Sequence, residues 1–541
     1  MAVRKQAEAS SKKTHGVTPV AGVDSKTAVL QHAANELIFA VVGHVGSGTS
    51  TVANVLAELL ASSSLPGGEY DVEVLRARNE IEGWARSTGH TVPATKRTDL
   101  GTTVAFQDLG DEMRLSTKDN SAVARALIRS VRETRAKKMG LSEVGDGPVK
   151  PDGKRRAYIL ESLRNPEEVE LLRHVYQEAF ILIGVVCDAE KRVQRIMKKY
   201  ENAGRVHALE FMKRDARGGG KHGQQVSDTF HLSDFFVDNT TDRENPDGTG
   251  NPDWGISDHL SRLLKIISRN AIVRPEISET AMHDAFSASV RSACLSRQVG
   301  AALVDSVGNV IATGTNEVPR AGGGVYGEHF QEGEEDNRCA FRKLNEPAFC
   351  SNTRQQNELV KKLIDEVEEL KNAKPERHLS LPTEIRGSGV GDLLEFSRAV
   401  HAEMDALLSA GRTGASTIGT RLFVTTYPCH YCARHIVSAG VDKVEYIEPY
   451  PKSQAVSLHA DSITTDAKDW VPPSQGGKKV LFQPFVGVAP RMYRRAFVKD
   501  RDLKNKHTGV MIKSDPEWGT PWHLRSAAYV ELEAYLSKAE T

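Results

Sequence analysis

The chain has 541 residues, more than one ordinary hydrophobic core can organise, so we expect at least two domains. Lys and Arg total 71, and Asp and Glu also total 71, so no overall positive field draws the chain onto nucleic acid. Only 6% of the residues are aromatic, which leaves few platforms on which a single strand could stack.

Cysteine content and apolar runs indicate the compartment. Six cysteines in a chain of this length do not make a disulfide scaffold. The basic, polar start MAVRKQAEASSKKTHG lacks the apolar core of a secretory signal. The longest apolar run, AFILIGVV, is far shorter than a membrane span and is typical of a buried strand. These features predict a soluble, cytoplasmic protein.

The first half of the chain alternates between strand and helix patterns. Residues 1–30 are rich in Ser, Lys and Ala and are predicted to be disordered. The strands ELIFAVVG, YILESLR and FILIGVV alternate with the helices STVANVLAELLASSS, NPEEVELLRHVYQEA and AEKRVQRIMKKYEN, which predicts a parallel sheet with helical crossovers. Residues 238–255 are dense in Gly, Pro, Asn and Asp and form a loop before a boundary near residue 270. Residues 31–270 are therefore predicted to form one domain.

Residues 271–541 are predicted to form a second domain. The helix ISETAMHDAFSASVRSACLS precedes a hairpin, GAALVDSVGNVIATG. Residues 321–398 have the character of an insertion, and their charged helix RQQNELVKKLIDEVEELKNA is more typical of a solvated surface than of an interface. After the insertion, helix and strand alternate again through SRAVHAEMDALLSAG, RLFVTTY, CARHIVSAG and KVEYIEP.

A metal-binding pattern lies in this second domain. His401 and Glu403 form H-x-E, and about thirty residues later Cys429 and Cys432 form P-C-x-x-C, the pair of motifs typical of zinc nucleobase deaminases. One imidazole and two thiolates supply three ligands for Zn²⁺ and leave the fourth position to water, which the metal activates. Glu403 is then a proton shuttle rather than a ligand. The alternatives are a structural zinc site, which requires a fourth protein ligand, and a core histidine beside an unrelated CxxC.

A glycine-rich loop follows the first predicted strand of the chain. GHVGSGTST fits the phosphate-loop pattern G-x-x-x-x-G-K-[ST] between a strand and a helix, except that Thr49 replaces the lysine. Without that lysine, which contacts the β- and γ-phosphates, the loop is expected to bind a nucleotide or phosphate rather than to transfer phosphate. The alternative is a purely structural glycine turn. The candidate binding residues are Gly43, Gly46, Ser47, Gly48, Thr49 and Ser50.

Residues 284–320 and 396–450 resemble the deoxycytidylate deaminases of the cytidine deaminase-like superfamily. The resemblance rests on SRQVGAALVDSVGNVIATGTNEVPR, VHAEMDALL and TTYPCHYCARHIVSAGV. It implies an α/β/α domain with a mixed five-stranded sheet, zinc held by the histidine and the two cysteines, and Glu403 as the shuttle. It also implies substrate contacts: Asn316 with the deoxyribose, Arg297 and Gln298 with phosphate and sugar, and Tyr427 or Tyr431 stacked on the base.

The first domain resembles the P-loop nucleotide kinases, which implies a three-layer α/β/α fold. YILESLRNPEEVELLR is similar to their second strand and acidic residue, with Glu161 a magnesium contact. RVHALEFMKRDAR is similar to their basic lid, with Arg205, Arg214 and Arg217 as its cations. The implied cofactors are Zn²⁺ in the second domain and a nucleotide, with or without Mg²⁺, at the loop of the first. The first domain is then expected to be regulatory.

Together, the two domains resemble the bacterial anti-phage deoxycytidine nucleotide deaminases. The resemblance implies deamination of free dCTP and dCMP to dUTP and dUMP, which depletes the dCTP pool during infection. It further implies restraint by an RNA, a protein or a nucleotide, and a homo-oligomer. One alternative is a deaminase of cytosine or adenine in single-stranded nucleic acid, and another is a nucleotide- or RNA-sensing regulator. His329, Cys339 and Cys350 in the insertion are either a second metal site or ordinary residues.

Overall fold

The structure is a computed structural model of the chain. It describes residues 34–541 apart from 94–97, 142–144, 146, 202, 219–221, 328–337, 342–347, 394–395, 451–452, 500, 513–529, 531–532, 535–536 and 538–541. The predicted disordered segment, residues 1–30, therefore lies outside the described residues. Where the chain is described, no helix is both long enough and apolar enough to cross a lipid bilayer.

The first half is organised around a six-stranded sheet with the order β12-β5-β4-β1-β3-β2. All neighbouring strands in it run parallel except β12, which is antiparallel to β5. Its strands are β1 (Glu36–Val42), β2 (Asp71–Arg76), β3 (Arg156–Glu161), β4 (Phe180–Val186), β5 (Phe235–Asp238) and β12 (Gly487–Val488).

Helices cover both faces of this sheet. They are α1 (Thr49–Leu60), α2 (Ala77–Ser87), α3 (Leu100–Thr117), α4 (Ala122–Lys138), α5 (Pro166–Tyr176), α6 (Ala189–Lys199), α7 (Arg205–Ala216), α8 (Val226–Phe230) and α9 (Ile256–Ser268). All seven residues of β1 are buried. Leu37, Phe39 and Val41 pack into one apolar cluster with α1 and α9, and the alternate residues pack into another with α4 and α5. This pattern confirms the predicted three-layer arrangement, because only a strand covered on both faces is buried at every position.

The second half is organised around another sheet, with the order β10-β11-β9-β8-β6-β7. The hairpin of β6 and β7 and the pair of β6 with β8 are antiparallel, and the remaining pairs are parallel, so the sheet is mixed as expected. Its strands are β6 (Gly300–Val304), β7 (Val310–Thr315), β8 (Arg421–Thr426), β9 (Lys443–Glu448), β10 (Ile463–Thr464) and β11 (Val480–Pro484). Five of them form the predicted sheet, and the two-residue β10 adds a sixth strand at the edge.

Close packing against a glycine positions one of the helices on this second sheet. The helices of this half are α10 (Ile277–Ser289), α11 (Ser351–Glu366), α12 (Glu368–Lys371), α13 (Pro375–Gly387), α14 (Ala402–Arg412), α15 (His430–Ser438), α16 (Ala455–Leu458) and α17 (Pro490–Phe497). A Cβ on Gly314 would lie 2.1 Å from the carbonyl oxygen of Ala402, so only glycine lets α14 approach β7 this closely. The predicted charged helix is divided into α11 and α12 by Val367, which has extended backbone angles.

The end of the chain returns to the first sheet. Gly487 and Val488 of β12 pair with β5, and the Val488 N–H donates to Glu279 Oε1 at 2.7 Å. Farther on, Glu533 is fully buried and accepts from Arg135 Nη1 at 2.6 Å. The two halves are therefore joined by buried contacts as well as by the chain. The division into domains at residue 270 remains a proposal.

Candidate functional site

The predicted ligand trio comes together at the starts of two helices of the second half. His401 is the N-cap of α14, Cys429 is the N-cap of α15, and Cys432 lies in the first turn of α15. His401 Nδ1 lies 3.3 Å from Cys429 Sγ and 3.4 Å from Cys432 Sγ. The three ligand atoms all lie within 4.8 Å of one another. In the described part of the chain, no other cluster of His, Cys, Asp or Glu brings three such atoms this close.

The electrostatics of the trio favour negative charge on one of the two sulfurs, that of Cys429. A hydrogen bond with Cys432 lowers the pKa of the Cys429 thiol to about 4. The hydrogen bond with Cys429 in turn raises the pKa of the Cys432 thiol well above the usual thiol value, and burial adds to that rise. A hydrogen bond with Cys429 raises the pKa of His401 to about 9. The first turn of a helix adds its own partial positive charge, which stabilises a thiolate.

Glu403 stands beside the trio without belonging to it. It is 4% exposed, and its carboxyl group hydrogen-bonds Cys432. Burial, and then the neighbouring Cys429, raise the pKa of Glu403 to about 7. A carboxyl group with a pKa near neutrality can both accept and return a proton, which is the property that general acid–base chemistry requires.

These residues fit a zinc ion. Sulfur at about 2.3 Å and nitrogen at about 2.0 Å from one tetrahedral Zn²⁺ lie roughly 3.5 Å apart, close to the observed separations of 3.3 and 3.4 Å. Two cysteines and one histidine are also the soft and borderline donors that zinc prefers. Three protein ligands leave one position open, which is the arrangement of a catalytic rather than a structural zinc site.

A cavity of about 250 Å³ opens onto His401, Cys429 and Glu403. Its polar wall includes Asn316, Arg297 and Arg398, and its aromatic wall is formed by Tyr427 and Tyr450. The insertion supplies a further side of the cavity, which we did not predict from the sequence. The insertion residues on this side are Cys339, Cys350, Ser351, Asn352, Ser397 and Arg398. The cavity therefore combines two cations, aromatic surface and two members of the trio in a space suited to a small polar molecule.

Two of the predicted substrate residues, Asn316 and Arg297, line this cavity. Asn316 lines it, but its amide donates to the carbonyl oxygen of Arg297 at 2.7 Å and accepts from the Val299 N–H at 2.7 Å. Asn316 thus also holds the loop before β6 in place. Arg297 lines the cavity and donates to Glu448 Oε1 at 2.5 Å.

The structure does not bring Gln298 and Tyr431 into the cavity wall. Gln298 is exposed, and its amide donates to the carbonyl oxygen of Ser292 at 2.9 Å. Tyr431 precedes Cys432 on α15, so it is rotated by about 100° from the face that carries that ligand. Its ring lies under the Arg434 guanidinium instead, 4.7 Å from it. Tyr427, the other tyrosine considered from the sequence, is the one that lines the cavity.

The second metal site considered for the insertion gains no support from the described residues. Cys339 and Cys350 both line the cavity, but neither belongs to a cluster of three potential ligands within the described ranges. Cys339 Sγ instead lies 3.4 Å from Ser351 Oγ, and Cys350 Sγ lies 3.6 Å from Ser296 Oγ. His329 is outside the described residues.

The glycine-rich loop of the first half has the expected conformation between β1 and α1. Gly46 and Gly48 have positive φ angles of 80° and 86°, which other residues adopt only with strain. Gly46, Gly48, Thr49 and Ser50 line a second cavity, of about 470 Å³, whereas Gly43 and Ser47 are buried behind the loop.

The acidic residue predicted beside this loop is in contact with it. Glu161, at the end of β3, accepts a hydrogen bond from the Ser50 hydroxyl group and another from Arg76 Nε at 3.1 Å. The three lid arginines, by contrast, form ion pairs away from the cavity wall. Arg205 pairs with Glu190, Arg214 with Asp108, and Arg217 with Asp228.

Comparison with known proteins identifies the region that carries the trio. Residues 275–448, about a third of the chain, match the family described as the cytidine and deoxycytidylate deaminase zinc-binding region. The C-terminal part of the chain therefore contains a deoxycytidylate deaminase domain. The match does not extend to the half that holds the glycine-rich loop.

Individual relatives agree with this assignment. ComE operon protein 2 of Bacillus subtilis (strain 168) is 43% identical over 54 residues, which are 10% of this chain and 29% of that protein. This match thus spans less than a third of the relative. The deoxycytidylate deaminase of Enterobacteria phage T4 is 28% identical over 177 residues, 33% of this chain and 80% of that enzyme.

Similarity to solved structures is weaker. Shikimate kinase from Acinetobacter baumannii in complex with shikimate is 16% identical, and the alignment covers 44% of this chain and 96% of that one with a TM-score of 0.22. A TM-score this low assigns neither a fold nor a function to any part of this chain. The description of the first half rests on its own strands and helices.

Proposed function

We propose that the chain catalyses the zinc-dependent hydrolytic deamination of free deoxycytidine nucleotides, dCTP or dCMP, to dUTP or dUMP. One observation carries the proposal: the buried carboxyl group of Glu403 faces the same cavity as His401 and Cys429 and is not needed to complete the ligand trio. The similarity to the phage T4 deoxycytidylate deaminase supports a deoxycytidine nucleotide as the substrate class.

The chain's own residues account for the proton transfers of this reaction. When bound, zinc supplies Lewis acidity that brings the pKa of a water molecule toward neutrality. Glu403 accepts a proton from the attacking water as its oxygen bonds to C4 of cytosine, and the proton passes to N3. Glu403 then moves the remaining hydroxyl proton to the 4-amino group. The C4–N bond breaks, ammonia leaves, and the base becomes uracil.

The rest of the cavity is suited to the nucleotide. Arg297 and Arg398 are the cations among its described wall residues and would attract the 5′-phosphates. The Tyr427 ring lines the cavity, with its centre 4.7 Å from that of Tyr446, and would offer a flat apolar surface to the base. Residues of the insertion line one side of the cavity, which favours a free nucleotide over a nucleic-acid strand as the substrate.

The experiment that tests this mechanism compares two substitutions on α14. Glu403→Gln removes the proton shuttle and is expected to lower kcat by about 10²- to 10⁴-fold while the protein retains zinc. Asp405→Asn is the matched control, because Asp405 is equally buried, lies two residues farther along the same helix and accepts from the Thr315 N–H instead of facing the cavity. Deamination and metal content would be measured on the same preparations. Normal turnover by Glu403→Gln would remove this residue from the mechanism.

We further propose that the first half regulates the deaminase as part of an anti-phage defence that depletes dCTP in the cytoplasm. A series of neighbouring residues between the glycine-rich loop and the zinc cavity supports the regulatory part of this proposal. The backbone of Arg192 on α6 packs against Gly46 of the glycine-rich loop. Burial and the neighbouring Tyr427 raise the pKa of Tyr446, while the nearby charge of Arg192 acts against them. Tyr446 in turn packs on Tyr427 in the cavity wall.

Thr49→Lys tests the regulatory proposal, because it changes the loop without touching the zinc cavity. If the loop communicates with the deaminase, this variant changes the turnover of dCMP or the response of turnover to an inhibitory RNA, protein or nucleotide. Unaltered turnover and an unaltered response would mean that the loop merely packs. We also propose that the chain forms a homo-oligomer, and sedimentation of the purified chain tests this.

A further inference from the structure

The wall of the zinc cavity contains a second buried carboxyl group besides that of Glu403. Glu317 is 1% exposed, lies two residues beyond the end of β7 and lines the same cavity. An ionised carboxyl group removed from water is stable only where hydrogen bonds or a cation compensate its charge. The ligand trio and the proposed proton transfers do not use Glu317, so its place in this wall calls for a separate explanation.

Both carboxylate oxygens of Glu317 accept from backbone N–H groups. Its Oε2 accepts from the N–H of Ala293 at 2.8 Å, and its Oε1 accepts from the N–H of Val318 at 2.8 Å. An ionised carboxylate only accepts, so it satisfies both donors at once, whereas an amide would turn its own N–H groups toward one of them. Glu317 is therefore suited to positioning the chain rather than to exchanging protons with a substrate.

One of these bonds reaches a loop that forms much of the cavity wall. Residues 292–299 lie between α10 and β6 and contain neither helix nor strand. Residues 295–298 are exposed, so packing alone does not fix the loop. The loop residues in the cavity wall are Ala293, Cys294, Leu295, Ser296, Arg297 and Val299. The position of this wall therefore depends on the few hydrogen bonds that attach the loop.

The segment that follows β7 attaches this loop at both ends. The Asn316 side chain accepts from the Val299 N–H at 2.7 Å, and Glu317 accepts from the Ala293 N–H at the other end. The hydroxyl group of Ser292 adds a hydrogen bond to the carbonyl oxygen of Asn316 at 2.6 Å. Loss of the Glu317 carboxylate would therefore weaken the attachment of one end of the loop.

The backbone of Glu317 is attached to the other side of the site. Its N–H donates to the carbonyl oxygen of Val400 at 3.2 Å, and its carbonyl oxygen accepts from the Val400 N–H at 2.9 Å. Val400 directly precedes the ligand His401. These bonds do not involve the side chain, so substitution of Glu317 is expected to leave the ligand trio in place. The side chain then acts on the loop alone.

We infer that Glu317 is a positioning residue that sets the affinity of the cavity for its nucleotide by holding the loop of residues 292–299. The inference rests on the proposed function, because Arg297 on this loop is the proposed phosphate contact. The charge of Glu317 by itself would act in the opposite direction, since a carboxylate repels the 5′-phosphates. Removal of the charge alone would lower KM for dCMP, whereas release of the loop raises it. The direction of the change distinguishes the two effects.

Steady-state kinetics of the zinc-loaded Glu317→Gln variant tests the inference. We expect KM for dCMP to rise about tenfold, kcat to change less than about threefold and the zinc content to remain that of the wild-type chain. Asp405→Asn is the matched control, because Asp405 is also buried and accepts from the Thr315 N–H of β7 but is not among the described residues of the cavity wall. The control is expected to keep the wild-type KM, and an equal rise in both variants would overturn the inference. An unchanged or lowered KM in Glu317→Gln would also overturn it, as would a loss of kcat of about 100-fold at unchanged KM, the sign of a catalytic group.

A second substitution and a second measurement complete the test. Glu317→Asp keeps the charge and both acceptor oxygens but is one methylene shorter, so KM is expected to rise in this variant too, and the inference stays testable if Glu317→Gln folds poorly. Hydrogen–deuterium exchange of residues 292–299 without substrate is expected to be about tenfold faster in Glu317→Gln than in the wild-type chain and in Asp405→Asn. Unchanged exchange would overturn the anchoring role. If the wild-type chain deaminates none of the deoxycytidine nucleotides, the proposed function fails, and the exchange measurement still decides whether Glu317 holds the loop.

Discussion

Replacing Gly314 by alanine tests how the second sheet positions the proposed catalytic groups. The added Cβ would lie 2.1 Å from the carbonyl oxygen of Ala402 and 2.4 Å from the N–H nitrogen of Ala406. Both are backbone atoms of α14, so no side-chain rotation relieves the clash. Helix α14 must move away from β7, and it carries His401 at its N-cap and Glu403 in its first turn.

The expected size of this effect follows from the packing. Overpacking of a closely packed interior costs about 1–3 kcal/mol of unfolding free energy. A displacement of about 1 Å at a reacting group costs on the order of 100-fold in rate. Gly314→Ala is therefore expected to lower the free energy of unfolding by at least about 1 kcal/mol and the turnover of dCMP by about 100-fold.

Gly411 provides a matched control on the same helix. A Cβ at this position would meet nothing within 4 Å, so Gly411→Ala removes only backbone freedom and is expected to stabilise the chain by about 0.5–1 kcal/mol without loss of activity. Urea denaturation and a deamination assay on both variants would measure the two effects. Wild-type stability and turnover in Gly314→Ala would refute the claim that glycine is needed for this approach of helix to strand.

Three further predictions concern metal, buried charge and pH. Removal of zinc by a chelator should abolish deamination and lower the melting temperature of the second half, and restoration by added zinc would be followed in the same assay. Arg135→Met should destabilise the chain by about 3–5 kcal/mol, because it leaves the fully buried carboxylates of Glu36 and Glu533 without their shared cation; an unchanged urea midpoint would contradict this. Burial lowers the pKa of His44 to about 3, below its unfolded value near 6.5, so its contribution to stability is complete above about pH 6.5 and decreases as the pH falls toward 3. The loss amounts to about 2 kcal/mol at pH 5, and His44→Asn should show a correspondingly flatter stability profile between pH 7 and 5.

The close approach of the ligand trio was predictable from the sequence because its members lie in short local motifs. His401 and Glu403 are two residues apart at the start of one helix, and Cys429 and Cys432 are three apart at the start of another, so short motifs record their geometry. The first sheet was predictable for a similar reason. Six of the seven residues of its central strand, ELIFAVV, are apolar, as expected of a strand covered on both faces.

Contacts between distant residues could not be read from local patterns. The antiparallel β12 has two residues, and nothing in Gly487 and Val488 indicates that they join the first sheet rather than the second. The burial of Glu533 against Arg135 spans almost 400 positions of sequence and resembles an ordinary surface charge when read locally. Tyr427 lies two residues before the N-cap of α15, whereas Tyr431 lies in the first turn of that helix. The motif that contains both does not reveal that Tyr427 is the one that lines the cavity.

The measurement that tests the central claim most directly is chromatography of nucleotides after incubation with the purified, zinc-loaded chain. dCTP, dCMP, CTP, CMP and a cytosine-bearing single-stranded oligonucleotide would be offered in parallel, with the Glu403→Gln variant as the blank. The account predicts conversion of dCTP or dCMP to the uracil nucleotide by the wild-type chain and none by the variant. Conversion of the oligonucleotide alone would contradict it and would make the chain a nucleic-acid deaminase.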